Sequence, residues 1–493
     1  MKRYILYSML FFFDGFLQAQ SIKYDHGVYL PPATPAIPAK GISFVDPTFG
    51  TSILRVTDAT DGADNHHSYS YWPCLNKNSS LLYVSSVGGN ATLYDFDTAA
   101  LAISNKRAMF QSNPPAEGQP SSEDAIWSGT QNNILLCHTG QKIWSYNVST
   151  NIYTLIKDFS AYYSNLYLSQ MSRSINDSVF AFTYREKVNY TEVGYLIYNA
   201  STGVTDTANL AGLDEVQVDK AGAYLVIKTG QSGAGVIEVK ILDLQTKTVQ
   251  NLTDNGPDFS PGHSDNATGF VIGNENWKNR LLYRTLVNQH TFITVLDYFN
   301  DWSMDNHLSM LGDNEAWMLV STYTGGTLPS SGIFKDEIFQ VATDGTQNVR
   351  RLAHHHSDYT NHNSGSAYWS SPRSCISRDG KFIVFTSDWG SPNRTDVFVL
   401  KVPPASTAVG ISESEAEAFT VYPNPSSGVF TVKSSGRPIH SIEVYGPLGE
   451  KIFSKTANSN EATITLNEVS SGCYYIRINE TRIQTTQPLL IQH

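Results

Sequence analysis

From about residue 65 to residue 400 the chain repeats itself, and this repeat limits its fold more than any other feature. Each unit holds a short strand-like segment, a turn with Asn, Asp or Gly, an apolar run, a second turn, and a segment of alternating apolar and polar residues. The first unit carries Tyr69–Leu75, the turn Asn76-Lys77-Asn78, Leu81–Val84 and Thr92–Asp97. The last carries Ser374–Ser377, Phe382–Thr386 and Asp396–Leu400. Seven such units of about 45 residues suit a β-propeller, whose closed ring hides most strand edges and leaves a central channel. Abundant Tyr and the near-absence of helical periodicity point the same way. The sequence therefore predicts an all-β protein with a seven-bladed β-propeller.

The two ends read differently. Met1-Lys2-Arg3, the apolar run Tyr4–Phe13 and the small residue Ala19 form a signal peptide over residues 1–19. The propeller is expected over 20–402, and no transmembrane segment is predicted. Pro403-Pro404-Ala405-Ser406-Thr407 and the acidic stretch Ser412–Glu417 form a linker, 403–418, with no apolar period. From 419 to 493, alternating strands broken by Pro, Asn and Gly predict a small immunoglobulin-like β-sandwich. The formal net charge of -11 argues against nucleic acid and anionic membrane as partners, and a monomer is expected. Cys74, Cys137, Cys375 and Cys473 lack any Cys-x-x-Cys spacing and read mostly as buried free thiols. Cys74 and Cys375 hold matching places in the first and last repeats, which leaves a disulfide between them open.

Two stretches resemble known families. Ser377-Arg378-Asp379-Gly380-Lys381-Phe382-Ile383-Val384-Phe385-Thr386-Ser387 resembles the blade signature of TolB-like propellers, in which Asp and Gly make the turn between inner strands. Val421-Tyr422-Pro423-Asn424-Pro425-Ser426-Ser427-Gly428, with Ile442–Tyr445 and Ser471–Ile478, resembles the type A sorting domain of type IX secretion substrates. That resemblance implies the type IX secretion machinery as a partner. It also implies delivery to the outer-membrane surface or release outside the cell.

Propellers place ligands at the channel mouth, where the innermost strands begin. Eight of the 13 histidines fall near such starts: His66, His67, His263, His307, His354, His355, His356 and His362. Other candidates there are Tyr69, Glu123, Asp124, Asp214, Asp265 and Arg373. His, Tyr and Arg at one mouth suit β-elimination on an acidic polysaccharide or oligosaccharide. In that chemistry Arg neutralises the uronate carboxylate, while His or Tyr moves the protons. His263, His307, Arg373, His66, His67 and Tyr69 are the expected catalytic set. Asp265, two residues beyond His263, is expected on the same side of the strand, where it would orient that ring. His263, His307 and Asp265 could also hold a divalent metal ion such as manganese or calcium. The blade pattern is similar to that of oligogalacturonate lyases, which combine both chemistries on a TolB-like propeller. That family pairs two histidines around a proline before the last turn signature, whereas here the stretch is Ser371-Pro372-Arg373. The alternative is a non-catalytic surface propeller that binds glycan or protein. No Gly-x-Ser-x-Gly elbow or phosphate-binding Gly loop is present.

Overall fold

A computed structural model describes residues 22–86, 91–111, 113–122, 125–163, 165–230, 239–252, 261–275, 280–287, 292–297, 304–324, 332–358, 367–391, 393–404, 419–434, 438–446, 450–466, 469–479 and 484–493. The predicted signal peptide, most of the linker, Glu123, Asp124 and His362 lie outside the described residues.

The chain divides into two units, Met1–Pro403 and Pro404–His493. The first is a propeller built from antiparallel sheets, seven among the described residues. Six have four strands in simple sequence order. One example runs Met304–Ser309, Trp317–Thr324, Glu337–Ala342 and Val349–His354. The seventh joins the two ends of the unit. Cys375–Ile376, Phe382–Ser387 and Asp396–Lys401 continue into the N-terminal strands Ser52–Arg55 and Ser43–Val45, with Ser52 opposite Lys401 and Arg55 opposite Phe398. The repeat pattern did not include these N-terminal strands. They satisfy the edge that Asp396–Lys401 would otherwise expose.

Hydrophobic side chains pack between neighbouring sheets in separate slabs. Leu54, Val56, Val384 and Val397 of the mixed sheet meet Leu82, Val84 and Phe96 of the next, with Cys74 and Cys375 buried among them as free thiols. Val179, Ala181 and Ile197 likewise meet Val216, Leu225 and Leu242. Turn chemistry follows the signature. Gly380 sits at φ 72°, its N–H bonds Ser377 O, and Ser377 Oγ bonds both Asp379 and Phe382 N. A left-handed φ of this kind favours glycine, which lacks a Cβ.

One local expectation needs correction. Tyr69–Leu75 is not one continuous inner strand. The strand begins at Asn65–His66, leaves the ladder through a turn on a Tyr69–Trp72 bridge and Pro73, which has no N–H to extend a ladder, and rejoins it at Cys74–Leu75, where Cys74 O accepts from Tyr83 N and Leu75 pairs with Leu82.

The second unit forms two antiparallel sheets: Phe419–Tyr422, Val429–Ser434 and Glu461–Thr465 in one, Ile439–Tyr445, Lys451–Ser459, Gly472–Asn479 and Gln484–Ile491 in the other. Their inward residues, among them Phe430, Val432, Ile442, Val444, Ile464 and Ile476, share one core.

Candidate functional site

Three consecutive innermost strands of the propeller are irregular at the same level. The register slips between Ser169 and Ser172 in Leu166–Arg173, between Leu213 and Glu215 in Leu213–Val218, and between Pro261 and Ser264 in Pro261–Asn266. Such bulges break the alternation of side chains and re-aim them. Consecutive residues therefore face one space: Ser169 and Gln170, Asp214 and Glu215, His263 and Ser264 all line a cavity of about 800 Å³. Tyr69, Tyr71, Trp72, Tyr368 and Trp369 supply its aromatic wall, and Arg185 and Lys228 are among its charged residues.

Most of the expected set comes together beside this cavity. His263 is one-third exposed, and its Nδ1 lies 3.4 Å from Asp305 Oδ1. Its ring stacks on His307, centroids 4.0 Å apart. His307 is buried, and its Nε2 lies 3.1 Å from the Tyr69 hydroxyl. Burial, reinforced by His263 and Arg373, lowers the His307 pKa well below its usual value, so this ring is neutral at pH 7. Burial raises the Tyr69 pKa well above the usual phenol range, which keeps its proton in place. Burial pushes Asp305 up, but His263, the Asn306 N–H and the Tyr323 hydroxyl together outweigh it and hold the carboxyl below the ordinary carboxylate range.

Arg373, His66 and His67 lie behind this front. Arg373 is 0% exposed. Its guanidinium carbon sits 4.6 Å from the Tyr368 ring centre and 4.3 Å from that of Trp369, and its Nη2 donates to the Trp369 carbonyl. His66 stacks on the other ring contact of that group, Trp369, at 3.6 Å. His67 spends both ring nitrogens on structure: Nδ1 on Thr386 Oγ1 at 2.8 Å and Nε2 on the Arg373 carbonyl at 2.6 Å. Burial, with Arg373 adding to it, lowers both His66 and His67 to about 3. As placed, Arg373 has no open path to a substrate carboxylate, and His67 has no nitrogen left for proton transfer.

Asp265 departs from expectation as well. Its carboxylate accepts N–H groups from Met310 and Asn266 and lines a separate cavity of about 80 Å³. The bulge ahead of Ser264 separates it from His263, whose acidic neighbour is Asp305 on the next sheet. Burial raises Asp265 to about 6. A metal held by His263, His307 and Asp265 does not fit this arrangement. The two imidazoles lie face to face, so their lone pairs run in near-parallel planes and do not converge, and Asp265 is turned away. No group of three His, Cys, Asp or Glu side chains suited to a metal occurs among the described residues. His354 and His355 bond the carbonyls of Tyr29 and Thr322, and His356 packs on Trp389.

The residues not anticipated are Tyr71, Lys228 and, as the partner of His263, Asp305. Glu215 and Lys228 face each other across paired strands and form an ion pair, and Tyr71 donates to the other Glu215 oxygen at 2.6 Å. Register sets Lys228 opposite Glu215, while Tyr71 reaches Glu215 from another sheet, and no local pattern reports either contact.

The fold and the tail define a class: an all-β propeller joined to a secretion sorting domain. Residues 420–492 match the secretion system C-terminal sorting domain. Among solved structures, the chain is similar to an oligogalacturonate lyase from Vibrio parahaemolyticus, with 12% identity and a TM-score of 0.54 over 74% of this chain and 99% of that one. It is also similar to an oligogalacturonate lyase in complex with manganese, with 11% identity and a TM-score of 0.50 over 75% of this chain and 97% of that one. These likenesses describe the fold. No curated protein sequence matches the chain. No helix among the described residues is long and apolar enough to cross a membrane.

Proposed function

We propose that the protein is exported by type IX secretion and cleaves an acidic glycan by β-elimination. The observation that carries this reading is His263. It is an accessible imidazole on the cavity wall, with Asp305 at its Nδ1 edge and a neutral His307 beneath it linking it to Tyr69. Asp305 favours the tautomer that leaves Nε2 as the basic edge. In the reaction His263 takes the C5 proton of a uronate unit. That electron pair forms the C4–C5 double bond as the C4–O bond breaks, and Tyr69 gives its proton to the leaving oxygen. Solvent then removes the proton from His263 and restores that of Tyr69. Aromatic rings along the wall suit the apolar faces of sugar units. The two lyase structures of similar fold support the substrate class. A panel of uronic-acid polysaccharides, followed by the ultraviolet absorbance of the unsaturated product, tests the reading. Absorbance with wild type and none with His263→Ala is the expected result. Binding without any unsaturated product would favour the glycan-binding alternative.

A further inference from the structure

With Arg373 buried under Tyr368 and Trp369, the cation that meets a substrate must come from the cavity wall. Among the described residues, two side chains qualify, Arg185 and Lys228. Arg185 lies toward solvent, 27% exposed, and is paired with Glu192 at 2.6 Å. Lys228 is set deeper, with its side chain 6% exposed. It projects from Tyr224–Thr229 directly opposite Glu215, and the bulge at Asp214 is what turns Glu215 inward. Glu215 engages one of the three ammonium donors of Lys228. The other Glu215 oxygen is taken by Tyr71, whose ring lies 4.7 Å from that of Tyr69. The ammonium is thus held by a carboxylate that Tyr71 holds in turn, while Lys228 still lines the cavity that His263 lines.

We propose that Lys228 is the specificity residue of this cavity: its ammonium, fixed by Glu215, binds the C6 carboxylate of a hexuronate unit. The proposal rests on reading the cavity as a glycan site. A fixed ammonium at that carboxylate favours an acidic sugar over its neutral ester, because desolvation of the carboxylate is repaid only where a cation waits for it. It also stabilises the charge that spreads onto the carboxylate as the C5 proton leaves.

The test is calorimetric titration of the full chain with trigalacturonate and with its methyl ester. Wild type and His263→Ala should both prefer the acid by roughly 10-fold or more, since His263 acts on the proton and not on the charge. Lys228→Gln should bring the two affinities within about twofold of each other. The pair Lys228→Gln with Glu215→Gln, which leaves no unpaired buried charge, should do the same with a melting temperature near wild type. Wild type without preference for the acid overturns the proposal, and so does Lys228→Gln with the preference intact. If wild type prefers the acid yet yields no unsaturated product, the elimination reading fails while the Lys228 result still stands or falls on the binding data.

Discussion

At the scale of single residues, the site separates groups that face the cavity from groups that hold them. His263 is one-third exposed and buries little apolar area, so His263→Ala should change stability by only about 1 kcal/mol. Turnover should fall by roughly 100-fold or more if it is the base, and a melting curve paired with an activity assay checks both. His67 belongs to the other group. Its Nε2–H donates the bond that fixes the Arg373 carbonyl, where the backbone sits at φ 41°, a left-handed value uncommon for a non-glycine residue. Its pKa is about 3 in the folded chain and near 6.5 when unfolded. Between those values the unfolded chain binds a proton that the folded chain does not, so His67 destabilises the fold progressively as pH drops from about 6.5 toward 3. Asp265 acts in the opposite sense: raised to about 6, it favours the folded state below that pH. His67→Gln should therefore narrow the stability difference between pH 7 and pH 4 by up to about 3 kcal/mol, as read from denaturant titrations at the two values.

At the scale of strands, the bulges matter more than the strands themselves. A regular ladder would point every second residue of Leu213–Val218 away from the cavity, and Asp214 and Glu215 could not both line it. Close packing between sheets is just as demanding. A Cβ placed on Gly129 would lie 1.8 Å from the Ile175 carbonyl oxygen, a backbone atom of the next sheet that has no rotamer to move away with. The neighbouring Ser128–Thr130 loop is tied to Asp177 by four groups, so it cannot shift freely either. Gly129→Ala should lower stability by about 3 kcal/mol or more, visible as an earlier thermal transition, whereas Gly312→Ala, whose new Cβ would meet nothing closer than 3.8 Å, should cost far less.

At the scale of the molecule, the propeller depends on its N-terminal strands, and export depends on the tail. Removing Ser43–Arg55 leaves Asp396–Lys401 as an open edge and strips Ile53 and Leu54 from two cores. That truncation should yield aggregated protein or a chain with a much lower melting temperature, measured by scattering and circular dichroism. Removing residues from Phe419 onward takes away a unit with its own core. The propeller should then melt as before but accumulate in the periplasm, and cell fractionation reads the outcome. Normal surface delivery of the truncated chain would contradict the role given to the sorting domain.

The sequence alone determined the propeller and the sorting domain, because both are written in local terms: turn residues, strand-length apolar runs, and a Pro-Asn-Pro opening repeated or matched over short spans. It also drew attention to His263, His307, Tyr69 and Arg373, since the starts of inner strands can be located from the repeat. What it could not decide was which of them face the cavity. Arg373 lies beneath two aromatic rings because Pro372 and the short helix Ala367–Ser370 fold over it, and Asp265 is lost to His263 because a bulge intervenes. Asp305 and Tyr71 acquire their partners only through contacts between sheets, and Lys228 meets Glu215 through the register of two paired strands. A residue's type and its neighbours along the chain set what it can do, but register and ring closure set what it meets.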